Sequence, residues 1–181
     1  MRILGLLVAA VLVTTTAEAV AIRPKMIERP SPNGEERPSG TVIDTIVIHD
    51  TEDNNLHRVL GLFCSRRFGR SPHFTIDKAG KIYKHLDPKA RGAHAGRSFF
   101  SGKPRVNDFS IGIELVNLGD GKDPFTEAQY HSLTKLVTWL KSTYDIKNDH
   151  IVGHKDIAIP RGRKADPAKN FDFPRFLRSL S

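Results

Sequence analysis

Apolar positions along this chain change period several times, and each change marks an element. Thr41-Val-Ile-Asp-Thr-Ile-Val-Ile-His49 is apolar on both alternating faces, as expected of a central strand covered on both sides. Leu56 to Arg66 reads as a helix. His73–Asp77 and Lys81–Leu86 read as two strands joined across the turn Asp77-Lys-Ala-Gly80. Asp87 to Asp108 has no period and is rich in Gly, Arg and Lys, so it reads as a long irregular loop, a kind of segment that is often functional. Ser110 to Val116 is a second central strand. The spacing of Tyr130, Leu133, Val137, Leu140 and Tyr144 predicts the buried face of a helix from Thr126 to Tyr144. Thr126 and Gln129 form a capping box at its start, and Trp139, off the stripe, is expected to pack peripherally. A strand at His150–Gly153 and a helix at Pro174–Leu180 follow. This alternation predicts the α/β class: a single domain with a central mixed β-sheet flanked by helices.

Two segments precede that domain, which is expected to span residues 41–181. Met1-Arg2 is followed by an apolar run of 11 residues, Ile3 to Val13, and then by Ala17-Glu-Ala19. The run is shorter than the about 20 residues a membrane span needs. Residues 1–19 therefore read as a cleavable signal peptide, and no cysteine near the cut supports a lipoprotein anchor. The protein is expected to be periplasmic or secreted, with no stable membrane insertion. Residues 20–40 hold Pro24, Pro30, Pro32 and Pro38 with Asn33-Gly34 between them. They read as an extended, mobile tether.

The chain carries 28 Lys and Arg against 20 Asp and Glu, a formal charge of +8. Removal of residues 1–19 takes Arg2 and Glu18, which cancel. So basic a protein should approach anionic surfaces, yet the sequence contains no nucleic-acid-binding module, so no nucleic-acid partner is expected. Cys64 is the only cysteine, which excludes an intrachain disulfide. Its apolar helical setting suggests a buried structural thiol. A monomer is expected.

The candidate chemistry lies at strand ends. His49 closes the first apolar run, His154 closes Ile151-Val-Gly-His154, and Asp166 closes the basic turn Pro160-Arg-Gly-Arg-Lys-Ala-Asp166. Two imidazoles and one carboxylate would leave a tetrahedral metal one open position, the catalytic rather than the structural arrangement. Taken singly, a histidine at a strand end is ordinarily a half-exposed polar residue. His150 and His154 are spaced like ligands on a helix, but Ile151-Val-Gly is strand-like, so His150 reads as a solvated neighbour. Glu114 interrupts an apolar strand, where a carboxylate is costly unless partnered. Alternation puts Ile111, Ile113 and Leu115 on one face and Gly112, Glu114 and Val116 on the other. The glycine beside Glu114 would leave room for a ligand.

Seven stretches occur in a meaningful order: Ile46-Val-Ile-His-Asp-Thr-Glu52, Ser71-Pro-His-Phe-Thr-Ile-Asp77, Gly92-Ala-His-Ala-Gly96, Asn107-Asp-Phe-Ser-Ile-Gly-Ile-Glu-Leu-Val-Asn117, Phe125-Thr-Glu-Ala-Gln129, Val152-Gly-His-Lys-Asp-Ile157 and Gly162-Arg-Lys-Ala-Asp-Pro167. Residues 41–180 thereby resemble the zinc-dependent N-acetylmuramoyl-L-alanine amidases. This is the type-two amidase domain shared with peptidoglycan recognition proteins and amidase-type phage lysozymes.

The resemblance implies that His49, His154 and Asp166 bind Zn2+ at strand ends, that Glu114 takes a proton from the attacking water, and that Lys164 stabilises the oxyanion. It implies that His94 faces the substrate, although the Trp that relatives often carry before it is absent. Asn117 and Arg163 would grip the stem peptide and its carboxylates. His73 would be a structural strand residue, and His57, His85 and His131 surface residues. Asp50 would either support a ligand or face water. The implied activity is hydrolysis of the amide between N-acetylmuramic acid and L-alanine in peptidoglycan or muropeptides. The alternative is a non-catalytic peptidoglycan-binding protein, a kind that typically lacks at least one ligand. A zinc peptidase acting on other amides fits the motif order less well. Intact wall and 1,6-anhydro muropeptides remain equally open as substrates, and recycling, remodelling and attack on competitors as roles.

Overall fold

The two strongest apolar strands of the sequence lie side by side in the middle of a six-stranded sheet. The computed structural model describes residues 21–180, and the signal-peptide reading of residues 1–19 lies outside them. The strands are β1 (Ile27–Glu28), β2 (Thr45–Asp50), β3 (Phe74–Ile76), β4 (Ile82–Lys84), β5 (Phe99–Phe100), β6 (Lys103–Pro104), β7 (Ser110–Leu115) and β8 (Ile151–Gly153). The helices are α1 (Leu56–Phe63), α2 (Glu127–Tyr144), α3 (His154–Ile157) and α4 (Phe173–Arg178). Sheet order is β1-β4-β3-β7-β2-β8, with β5 and β6 forming a separate ribbon. β3, β7, β2 and β8 run parallel, while β4 is antiparallel to β3. The sheet is therefore mixed and flanked by helices, as the alternation predicted.

Each central strand is buried on both faces, but the two faces do different work. Ile46, Ile48, Ile111, Ile113 and Leu115 pack with Leu133, Leu136, Val137 and Leu140 of α2 and Phe176 of α4. Val47, on the opposite face, packs with Ala95, Val106, Phe109 and Ile157. The irregular segment 87–108 is thus a packed layer over the sheet. The capping box of Thr126 and Gln129 is present. The Gln129 amide also donates to the Val116 carbonyl at 2.9 Å and the Ile76 carbonyl at 3.4 Å, tying α2 to the ends of β7 and β3. Trp139 packs partly buried against this core. α1 ends at Phe63, short of Arg66, with Cys64 as its C-cap. Cys64 is half-buried rather than buried. Its Sγ contacts the Arg29 carbonyl, and burial pushes the thiol up, away from nucleophilic use.

The N-terminal segment corrects the expectation of a mobile tether. β1 adds a parallel edge strand to β4. The N–H groups of Arg29 and Ser31 donate to the carbonyls of Lys84 and His85 at 2.8 and 2.9 Å. Pro30 and Pro32 fall at the alternate positions, whose missing N–H groups would have faced away from the ladder. An edge strand accepts proline there. Glu35 bridges to Arg91. Arg37 inserts its guanidinium among the carbonyls of Pro88, Asn107, Asp108 and Ser110 at 2.7–3.1 Å, and burial lowers its pKa to about 10. The arm also covers His85, which is buried rather than at the surface. Its Nδ1 donates to the Arg29 carbonyl at 2.8 Å and its Nε2 meets Thr75 Oγ1 at 2.9 Å.

Arg37→Ala should destabilise the protein by about 2–4 kcal/mol in urea unfolding, because four carbonyls lose a charged donor. A chain starting at residue 41 should show a similar loss. An unchanged midpoint in both would restore the free tether.

Candidate metal centre

Parallel register assembles the centre. His49 of β2 pairs with Glu114 of β7. Gly153, the last residue of β8, pairs with Ile48, so His154 emerges beside His49. All three lie at the carboxyl ends of parallel strands, where open α/β sheets bind ligands. Asp166 arrives on the loop after α3. That loop is pinned at Asp166 and just beyond it: Lys155 N–H donates to the Asp166 carbonyl at 2.8 Å, and Ala168 N–H donates to Asp50 Oδ2 at 2.6 Å. Asp50 is buried and serves as this anchor.

His49 Nδ1, His154 Nδ1 and Asp166 Oδ2 form a triangle with sides of 3.0–3.1 Å. Donor atoms of a tetrahedral zinc site, with bonds of about 2.0–2.2 Å, stand about 3.3 Å apart. A small outward shift would admit the ion. His154 Nε2 donates to the Ala95 carbonyl at 3.0 Å, which leaves Nδ1 as the ligating atom. Asp166 Oδ1 is buried without a hydrogen-bond partner among the described residues, with Lys164 Nζ 3.9 Å away. Three buried donor atoms converging at this distance fit a divalent cation.

The electrostatics agree. Burial lowers the His49 pKa to about 4, so the ring is neutral and available as a ligand at neutral pH. Burial, then the charges of Asp166 and Asp50, push Glu114 well above the usual carboxylate range. Its Oε2 is buried and unpartnered among the described residues. A cavity of about 660 Å3 opens over these groups, lined by His49, His154, Asp166, Glu114, Lys164 and His94.

The other expected site residues fall differently. His94 lines the cavity, but its ring lies against Gly112 and His49. The space beside Glu114 that the glycine was expected to leave for a ligand is filled by this ring. Asn117 does not reach the cavity: it is fully buried, its amide donating to the Asp123 carbonyl and its Oδ1 accepting from Gly119 N–H, both at 2.9 Å. The expectation that it grips substrate is corrected; it shapes the turn after β7. Arg163 reaches the rim, with donors committed to the carbonyls of Ile159, Ala95 and Arg97 at 2.8–3.2 Å, so it ties the ligand loop to the 92–98 segment. His57 and His131 are exposed. Asn107 has a role the sequence did not disclose: its Oδ1 accepts from the N–H groups of His94 and Ala95 at 3.1 and 2.7 Å. Its place at the head of a motif was visible, but its bonding partners were not. Arg67, Phe68 and Arg70, also at the rim, lie just beyond α1 with no sequence pattern to mark them.

Residues 39–169 match the family described as N-acetylmuramoyl-L-alanine amidase. The chain is 44% identical to the 1,6-anhydro-N-acetylmuramyl-L-alanine amidase AmpD of Haemophilus influenzae over 61% of its own length and 58% of that protein. It is 32% identical to AmpD of Citrobacter freundii over 81% of this chain and 86% of that protein. In the first alignment, then, the chain spans little more than half of its relative. Among solved structures, an AmpD derivative superposes with a TM-score of 0.72 at 28% identity, covering 92% of this chain and all of that one. The Escherichia coli amidase AmiD, solved with anhydro-N-acetylmuramic acid-L-Ala-D-gamma-Glu-L-Lys, superposes with a TM-score of 0.70 at 28% identity, over 80% and 60% of the two chains. The chain belongs to the N-acetylmuramoyl-L-alanine amidase family.

His73 sits beneath this centre, fully buried, accepting from Gly112 N–H at 3.0 Å through Nδ1 and donating to the Ala90 carbonyl through Nε2. Burial lowers its pKa from 6.5 to about 3. Its contribution to stability is full above the unfolded value of 6.5 and is lost as pH falls toward 3, because in that window only the unfolded chain takes up the proton. Urea unfolding of metal-free protein should show stability falling across that window. His73→Gln should flatten the slope by up to about 1.4 kcal/mol per pH unit. An unaltered slope would assign the titration to other groups.

Proposed function

We propose that this protein is an exported zinc amidase that hydrolyses the bond between the N-acetylmuramic acid lactyl group and L-alanine in peptidoglycan fragments. The observation that carries the reading is the convergence of His49 Nδ1, His154 Nδ1 and Asp166 Oδ2 beside a buried, unpartnered Glu114 oxygen at the floor of one cavity. The family match and the muropeptide bound to AmiD support the substrate class. The names of the AmpD relatives favour 1,6-anhydro muropeptides. Export is supported by the leader-like residues 1–19 alone.

His49, His154 and Asp166 would hold the zinc, which would supply a water acidified to a pKa of about 7 and a Lewis acid for the scissile carbonyl. Glu114 Oε2 takes the proton of the attacking water and delivers it to the departing nitrogen of L-alanine. Lys164, beside Asp166 at the cavity edge, stabilises negative charge on the attacked carbonyl oxygen. Arg67 and Arg70 at the rim offer positive charge to an anionic stem peptide. The full set of ligands with Glu114 and Lys164 favours catalysis over binding alone.

The purified protein should hold close to one equivalent of zinc and release the peptide from a 1,6-anhydro muropeptide, read by mass spectrometry. His154→Ala should lose both metal and activity, and full activity in metal-free protein would sink the reading. Glu114→Ala should keep the metal and lose about 10²- to 10⁴-fold in turnover.

Lys164→Ala should lower kcat by about 10²- to 10³-fold with a smaller change in KM, as for loss of one oxyanion donor. Lys164→Arg should recover only part of it, since the planar guanidinium presents its charge differently. A change in KM alone would reassign Lys164 to substrate binding.

A further inference from the structure

A run of hydrogen bonds behind His49 has a direction set by its far end. Ser110 Oγ lies 2.6 Å from the Val106 carbonyl oxygen. A carbonyl only accepts, so the hydroxyl proton is committed to it. His94 Nε2 stands 3.3 Å from the same Oγ and must donate to it. A neutral imidazole that donates from Nε2 carries a lone pair on Nδ1. His94 Nδ1 is 3.1 Å from His49 Nε2, so it accepts, and His49 carries its proton on Nε2. That leaves the His49 Nδ1 lone pair facing His154 Nδ1 and Asp166 Oδ2.

From this we propose that His94 is a positioning residue that fixes the tautomer and ring orientation of His49, so that His49 meets the metal through Nδ1. The assignment rests on the reading of His49 as a ligand. It replaces the expectation that His94 acts chiefly on substrate. The two ligand histidines are then polarised in the same sense by different means. His154 uses the Ala95 carbonyl directly, and His49 uses two side chains that end on the Val106 carbonyl.

The surroundings hold the His94 ring for this task. A methyl group built on Gly112 would lie 2.6 Å from His94 Nδ1 and 2.7 Å from Cδ2, so only glycine admits the ring there. Asn107 Oδ1 fixes the backbone at His94 and Ala95. His73 meets the ring edge-on, with centroids 5.6 Å apart. Such partners of ligand histidines typically matter about 10- to 100-fold in metal affinity.

The test measures zinc affinity by chelator competition on stripped protein, with thermal unfolding of the metal-free form as the check on folding. His94→Ala and His94→Gln should bind zinc about 10- to 100-fold more weakly. His94→Asn should stay within about threefold, because its Oδ1 stands near the position of the histidine Nδ1 and can accept from His49, whereas the glutamine amide reaches the Nε2 position. Gly112→Ala, which keeps every polar group but displaces the ring, should lose affinity like His94→Ala. Nitrogen-15 NMR of the metal-free wild type should find His49 protonated on Nε2. Protonation on Nδ1 would overturn the proposal, as would unchanged zinc affinity in folded His94→Ala with only KM raised. If His94→Ala fails to fold, the contrast between Asn and Gln and the wild-type spectrum still decide. The spectrum requires neither zinc nor turnover, so it separates failure of this inference from failure of the amidase reading.

Discussion

Parallel strands leave little freedom in how their side chains line up, because a slip of one residue turns every side chain to the opposite face. β2 is gripped on both sides, by β7 and by β8. Its Ile46 and Ile48 are fully buried against α2, and exposing either would cost about 1.5–3 kcal/mol. This apolar face sets the register. The register in turn drives His49 and Glu114 to the other face, side by side, and brings His154 out beside them. The polar centre depends on a core that never touches substrate.

That centre is costly without a cation. Two imidazole nitrogens and a carboxylate oxygen face one another at about 3 Å, and burial, with the Asp166 charge, pushes the neighbouring Glu114 and Asp50 carboxyls up. Lys164 is a cation at the cavity edge beside Asp166, but at 3.9 Å from Asp166 Oδ1 it is too far for a hydrogen bond. A divalent ion would relieve the repulsion among the three donors. The same crowding explains why the rings must be held in a defined protonation pattern: a proton on the wrong nitrogen would close the site to metal.

The layer that enforces this pattern has little secondary structure of its own. Segment 87–108 is held by side chains reaching in from elsewhere, and Arg37 is the most telling of them. It comes from the N-terminal arm and binds the carbonyls of Asn107 and Ser110, whose side chains in turn fix His94. An arm that resembles a linker is thereby part of the support of the candidate metal centre. Precise sites on irregular loops require such outside support.

The sequence by itself determined the α/β alternation and the capping box of α2, and it singled out His49, His154 and Asp166, which the structure brings together, and Glu114 and Lys164, which line the same cavity, because period, caps and motif order are local properties. It misjudged what depends on distant partners. The prolines of residues 20–40 read as a loose tether because nothing local shows a sheet edge waiting to receive Arg29 and Ser31. His85 read as surface because the arm that buries it lies more than fifty residues upstream. Asn117 was offered to substrate although its amide is consumed by its own turn. The space beside Glu114, credited to Gly112, belongs to His94. Only the tertiary structure decided these points, since hydrogen-bond direction and the filling of space are set by atoms that meet from far along the chain.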